Sequence, residues 1–335
     1  MRTIGIAGTA KNTGKTTTMN AVLGEAVRQG LRSAITSIGY DGEEFDHLTG
    51  LPKPRVLVSE GMLVATAEKT LRGATAGYEP AGRTGVPTAL GEVVLVRVVR
   101  PGLIPLAGPP TGPGVTRVVA AALAGGADLC LVDGAFGRMA PFAVLDGVVL
   151  ATGGARSRDV KRLAEETAAL AWMFGLPAQA GEASATVSNL LSESTAYACL
   201  QGKPPVTSLL VQGAITAAAI EVLAAWDGWG AGAQVSFADP IRLALAGDPI
   251  RVRSALEHLA QRAVVGVVRR VSMAAVTINP FYPDAVNGAQ FRASYLDAGA
   301  LRDAMAAAVA VPVVNVQVEG AAELLRLICG EVQLA

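Results

Sequence analysis

The chain has 335 residues, 51% of them apolar and only 4% aromatic, and its 28 basic and 28 acidic side chains cancel. The length allows two domains with cores built from Ala, Val and Leu; the zero charge balance speaks against nucleic-acid binding, and no run approaches the roughly 18 apolar residues of a membrane span. Cys130, Cys199 and Cys329 are far apart and odd in number, which excludes a zinc or disulfide framework and, with an opening that reads as a strand rather than a secretory leader, predicts a reduced, cytoplasmic protein.

The opening "MRTIGIA" alternates and then runs apolar, predicting a strand over 3–7. After "GTAKNTGK" the pattern predicts a helix over 15–29, with Ala21, Val22, Ala26 and Val27 on one face and Gly30 as its stop. Strands over 33–38, 93–99, 129–133 and 147–151, with helices over 114–124 and 158–174, continue the alternation. This is the pattern of a mostly parallel α/β sheet flanked by helices. "GPPTGPG" at 108–114 reads as a stiff connector. Periodicity weakens over 175–194, so a first domain is expected over 1–175 and a linker over 176–205. A second, smaller α/β domain is expected over 206–335. Its strands fall at 207–211, 234–238, 274–278 and 313–318, and its helices at 216–225, 250–263 and 298–310.

The stretch "GTAKNTGKTTT" joins the first strand to the first helix and holds two of the six lysines, Lys11 and Lys15. Strand, glycine-containing loop and helix form the context in which a phosphate-binding loop is credible. Gly14, Lys15 and Thr16 supply the last three positions of G-x-x-x-x-G-K-[ST]. The first glycine would fall at Thr9, so the standard form is not met. The chemistry remains legible. Gly14 lets backbone amides turn onto phosphate oxygens, and the following helix start favours an anion. Lys15 would reach the β- and γ-phosphates, the Thr16 hydroxyl would bind Mg²⁺, and Thr17 would bond the α-phosphate. The stretch expected to contact nucleotide is thus Thr9, Lys11, Asn12, Thr13, Gly14, Lys15, Thr16 and Thr17, with ATP and Mg²⁺ as cofactors.

Such a loop needs a carboxylate at a neighbouring strand end to hold the metal through water. In "ADLCLVDGAFGR" the apolar run 129–132 ends at Asp133, which is the candidate metal-linked residue; a turn aspartate is the alternative. "ATGG" at 151–154 closes another strand, and Arg156 and Arg158 follow it as phosphate or partner contacts, or as a solvated helix start. "TINPFYPD" at 277–284 is a further strand-end loop for base or substrate.

K-x-x-G-K-[ST] resembles the deviant Walker A motif of the class that includes the MinD and ParA ATPases, the nitrogenase iron protein, dethiobiotin synthetase and the cobyric-acid-synthase group. The resemblance covers residues 1–175. It implies a P-loop fold, a homodimer, and a role for Lys11 in reaching the partner's nucleotide to neutralise charge on the transferring phosphate. A solvated loop lysine is the alternative. The resemblance also implies a metal-binding or water-positioning Asp41 in "SIGYDGEEFD", with Glu43 and Glu44 as further candidates; a solvated acidic loop is the alternative, and His47 is given no role. "GTAKNTGKTTT" with "TSIGYDGEEFDHLTGLPKPR" resembles the nucleotide-binding subunit of the lysine 5,6-aminomutase reactivase. This implies an ATP-driven switch acting on an adenosylcobalamin-dependent client beside a MutS-like companion subunit. A competing resemblance is to Mur-type ligases and dethiobiotin synthetase, which activate a carboxylate. Against the Mur-type loop, the spacing from Gly8-Thr9 to Gly14-Lys15 is too long.

Overall fold

The computed structural model describes residues 2–41, 56–179, 183–201, 205–285 and 291–330. The chain forms two compact units. One comprises residues 1–163, 273–306 and 311–335, and the other comprises 164–272 and 307–310.

The first unit is organised by a nine-stranded sheet. Its order is Val313–Val314, Ser272–Asn279, Gly147–Gly153, Arg2–Gly8, Leu129–Ala135, Ser33–Ser37, Leu63–Ala67, Gly91–Arg100 and Gly77–Thr88. Arg2–Gly8 pairs in parallel with strands on both sides, Ile6 opposite Asp133 on one and Val149 on the other. A strand enclosed in this way is buried on both faces and shows a near-continuous apolar run, as Ile4, Ile6 and Ala7 do. Gly91–Arg100 runs antiparallel to both Leu63–Ala67 and Gly77–Thr88. Helix Lys15–Arg28 follows the first strand and buries Met19, Val22, Leu23 and Ala26. Val22 and Ala26 of the expected face are buried, whereas Ala21 is only half-buried and Val27 is 42% exposed, and Met19 and Leu23 carry the rest of the packing. Gly30 ends the helix as predicted, at φ 71, with its amide on the Val27 carbonyl.

The expected boundaries are corrected at three places. Residues 273–306 and 311–335 do not belong with 206–272: strands Ser272–Asn279 and Val313–Val314 complete the first unit's sheet. Helix Ala322–Cys329 adds Leu324, Leu325 and Ile328 to the same core as Met19 and Leu23. The chain leaves the first unit and returns, which a contiguous reading does not detect. The segment 176–205 is no linker. Its strand Ala185–Val187 pairs in parallel with Val206–Val211, and its helix Glu193–Leu200 starts on a reciprocal Ser192–Thr195 capping box. The predicted strand 313–318 shortens to Val313–Val314.

The second unit holds a four-stranded parallel sheet, ordered Ala185–Val187, Val206–Val211, Trp229–Phe237 and Val264–Val267. Leu209, Val235 and Phe237 on its strands are buried, as are Ile220, Leu223, Leu256 and Leu259 on helices Ala217–Ala225 and Pro249–Ala260. The α/β class expected for both parts is what the chain adopts. Among the described residues, no helix is long and apolar enough to cross a membrane.

Candidate functional site

The carboxyl ends of Arg2–Gly8, Leu129–Ala135 and Gly147–Gly153 lie side by side in the first unit. Ligands of open parallel sheets bind at this edge. The loop leaving Arg2–Gly8 is anchored from its first residue. The Thr9 amide donates to the Ala151 carbonyl at 2.9 Å, and the Thr9 hydroxyl donates to Thr152 Oγ1 at 2.9 Å. Thr13 is buried, and its hydroxyl donates to the Ala10 carbonyl at 2.9 Å, closing a tight turn. Asn12 sits at φ 65, and Gly14 at φ 87. Among the described residues Asn12 is the one non-glycine in this left-handed region, which asparagine tolerates better than most.

Gly14 occupies the position just before helix Lys15–Arg28, and its carbonyl accepts from the Thr18 amide at 2.8 Å. No side chain caps this helix start, and its first turn holds no acidic residue. Helices Gly112–Ala124 and Ala217–Ala225, by contrast, begin on the hydroxyls of Thr111 and Thr216. The positive end of the Lys15–Arg28 helix therefore faces the loop with no acidic side chain in its own first turn.

Lys15 follows at once. Its Nζ lies 2.9 Å from Asp133 Oδ2, with 16% and 5% of the two side chains exposed. Asp133 lies two residues inside strand Leu129–Ala135, which runs on past the predicted end. Its own carbonyl accepts from the Ile38 amide at 2.7 Å. A cation and a carboxylate are thus held together, largely out of water, at the base of an amide-rich loop. Thr16 and Thr17 are half-buried in the first turn, and Lys11 is exposed on the loop. The cofactor-contacting residues proposed from sequence therefore fall on one loop and one helical turn, with Asp133 beneath them.

The backbone of Tyr40–Asp41 pairs antiparallel with Leu106–Ala107. The Asp41 side chain, with Glu43, Glu44 and His47, lies outside the described residues. Arg158 turns towards the hairpin Phe281–Ala285 and Phe291–Tyr295: it is 3.5 Å from Asp284 and lies over the Tyr282 ring. "GPPTGPG" acts as a connector and cap, with the Gly108 amide on Ser37 Oγ at 3.1 Å and Thr111 starting the next helix.

Two contacts of the loop come from "TINPFYPD", the stretch read from sequence as a loop for base or substrate. Thr277 Oγ1 and Thr18 Oγ1 are hydrogen-bonded at 2.9 Å in the interior. Asn279 Nδ2 donates to the Asn12 carbonyl at 3.1 Å. The stretch "TINPFYPD" signalled a strand-end loop, but nothing local tied it to the phosphate loop.

Among the described residues, no group of three or more His, Cys, Asp or Glu side chains could hold a metal. Mg²⁺ bound with phosphates needs no such cage, since one or two protein oxygens, phosphate oxygens and waters complete its octahedron. Thr16 and Asp133 are the oxygen donors suited to it here. The donor set therefore fits a phosphate-borne Mg²⁺ rather than a resident structural ion.

Comparison of the chain with protein-family models, with curated proteins and with solved structures gave no match.

Proposed function

We propose that this protein binds Mg–ATP on residues 8–17 and hydrolyses it as a conformational switch. The observation that carries the reading is the Lys15–Asp133 pair, 2.9 Å apart, beneath an uncapped helix start that follows left-handed Gly14. Backbone amides of the loop would take the phosphate oxygens. Lys15 would exchange Asp133 for the β- and γ-phosphates, and Asp133 and the Thr16 hydroxyl would then face the metal. Bound Mg²⁺ would supply neutralisation of charge on the phosphates. Gain and loss of the γ-phosphate would thereby alter which partner Lys15 and Asp133 keep, and this local exchange is the switching event.

Lys11, exposed on the loop, is proposed to act on the nucleotide of a second copy in a homodimer. By resemblance to the reactivase subunit, the client is an adenosylcobalamin-dependent aminomutase, with a MutS-like companion. The test is isothermal titration of ATP, ADP and GTP with Mg²⁺, beside steady-state hydrolysis by the protein alone. Adenine-nucleotide binding with slow hydrolysis that Lys11→Ala abolishes supports the switch. Binding without hydrolysis favours a carboxylate-activating synthetase awaiting its substrate. Unchanged ATP affinity in Lys15→Ala overturns the nucleotide reading.

A further inference from the structure

We infer that Asn279 is the positioning residue of the phosphate loop and ties that loop to the hairpin that follows it. Asn279 ends strand Ser272–Asn279 and lies 267 residues along the chain from Asn12. Its side chain is used at both ends. Nδ2 donates to the Asn12 carbonyl at 3.1 Å, and Oδ1 accepts from the Phe281 amide at 3.2 Å. The two partners define which end is which, since a carbonyl needs a donor and an amide needs an acceptor. Its Cβ lies 3.0 Å from the point where a Cβ on Gly14 would stand.

The loop's two left-handed residues, Asn12 and Gly14, therefore both rest against one side chain. A non-glycine residue in this conformation is held there by its surroundings, not by its own preference. The loop's internal bonds supply part of that hold, through Thr13 to Ala10 and Gly14 to Thr18. Asn279 supplies the contact on the far side. Its backbone is itself fixed, because its carbonyl accepts from the Gly154 amide at 3.0 Å. The Asn279 side chain, through Oδ1, also accepts from the amide of Phe281, the first residue of the hairpin Phe281–Ala285 and Phe291–Tyr295. A loop that tightens on an anion would pull on this one side chain and so on the hairpin start. An aspartate could keep the Phe281 bond but would set a carboxylate against the Asn12 carbonyl. A leucine would keep neither.

The ligand in this inference rests on the phosphate-loop reading above, whereas the geometry does not. The experiment compares Asn279→Asp and Asn279→Leu with Thr277→Val, a control on the same strand that breaks the buried bond to Thr18. The probes are Mg–ATP and inorganic tripolyphosphate, which has no base to read. Both Asn279 variants are expected to weaken both probes by about tenfold, as for the loss of one hydrogen bond and its geometry. Thr277→Val is expected to lower thermal stability with affinity kept within about twofold. In the ligand-free protein, hydrogen exchange over residues 8–18 is expected to quicken in the Asn279 variants and to hold its wild-type rate in Thr277→Val. Unchanged loop exchange in both Asn279 variants overturns the inference. So does a loss confined to Mg–ATP with tripolyphosphate unaffected, because that assigns Asn279 to the base. If the wild-type protein binds neither probe, the nucleotide reading fails, and faster loop exchange in both Asn279 variants still upholds the positioning role.

Discussion

A Cβ placed on Gly153 would fall 1.8 Å from the carbonyl oxygen of Asn279. The two backbones approach this closely because Gly153 adopts φ 152 and Gly154 donates to the same carbonyl. No side chain can be accommodated there without moving the end of strand Ser272–Asn279. Gly153→Ala is expected to lower stability by about 1–3 kcal/mol, the usual range for forcing atoms into a packed interior. It should also weaken Mg–ATP binding, because the Asn279 contact to Asn12 shifts with the backbone. Thermal unfolding and titration of the same preparation check both. An unchanged Tm would show that the strand end yields freely.

How much of this was legible beforehand depends on the range of the signal. The strands Arg2–Gly8, Leu129–Ala135 and Gly147–Gly153 announce themselves as apolar runs because both faces are covered. The pairing of Lys15 with Asp133 was within reach because glycine, lysine and an aspartate after an apolar run are local patterns. Edge strand Gly77–Thr88 was hidden by Pro80, Pro87 and its glycines, which an edge tolerates and a central strand does not. The return of 273–306 and 311–335 to the first unit was invisible for a different reason. Strand Ser272–Asn279 looks the same whichever sheet it joins, and only its pairing in the fold and the long-range Thr277–Thr18 and Asn279–Asn12 bonds reveal which. The local pattern therefore marked the stretch that holds Asn279 as a loop for base or substrate, without tying it to Asn12.

The Lys15–Asp133 pair makes opposite demands on its two members. Lys15→Ala removes the cation beside a carboxylate that is only 5% exposed, and is expected to destabilise the free protein by about 1–3 kcal/mol. It should also weaken triphosphate binding by about ten- to a hundredfold, the equivalent of one charge-assisted hydrogen bond. Asp133→Asn keeps a polar partner for Lys15 and leaves the phosphate contacts in place. Its expected signature is a loss of Mg²⁺ dependence, with metal-free affinity for ATP preserved. Titration with Mg²⁺ and with EDTA separates the two, and equal losses in both conditions would remove Asp133 from the metal site.

Cys130 lies in strand Leu129–Ala135, three residues before Asp133, and is fully buried. Burial raises its thiol from the ordinary 9.0 to about 12. Desolvation penalises the thiolate, so the folded state binds this proton more tightly than the unfolded chain. The associated stability is fully present below about pH 9 and is lost as pH rises through the window from 9.0 to about 12. Half-buried Cys199 should therefore be the first thiol to react with a disulfide reagent at pH 8. Cys130 should react only at the rate of unfolding. Mapping the modified peptides over time tests the order, and early labelling of Cys130 would contradict its burial.

Phe142 packs its ring across two strands that carry the site. A Cβ on Gly5 would meet the ring at 2.3 Å, and one on Gly134 would meet it at 2.7 Å. The side chain is fully buried, so the ring has nowhere to swing. Gly5→Ala alone is expected to cost about 1–3 kcal/mol through overpacking. Phe142→Leu alone should cost a comparable amount through the space it leaves. Together they share one volume, so the added methyl group partly fills the gap left by the smaller side chain. The double variant should be more stable than the sum of the single losses predicts, by at least about 0.5 kcal/mol, the lower end of coupling between residues in contact. Denaturant unfolding of the four proteins closes the cycle. Strict additivity would mean that the strand, not the ring, moves to admit the methyl group, and Gly5→Ala would then weaken nucleotide binding through the shifted loop.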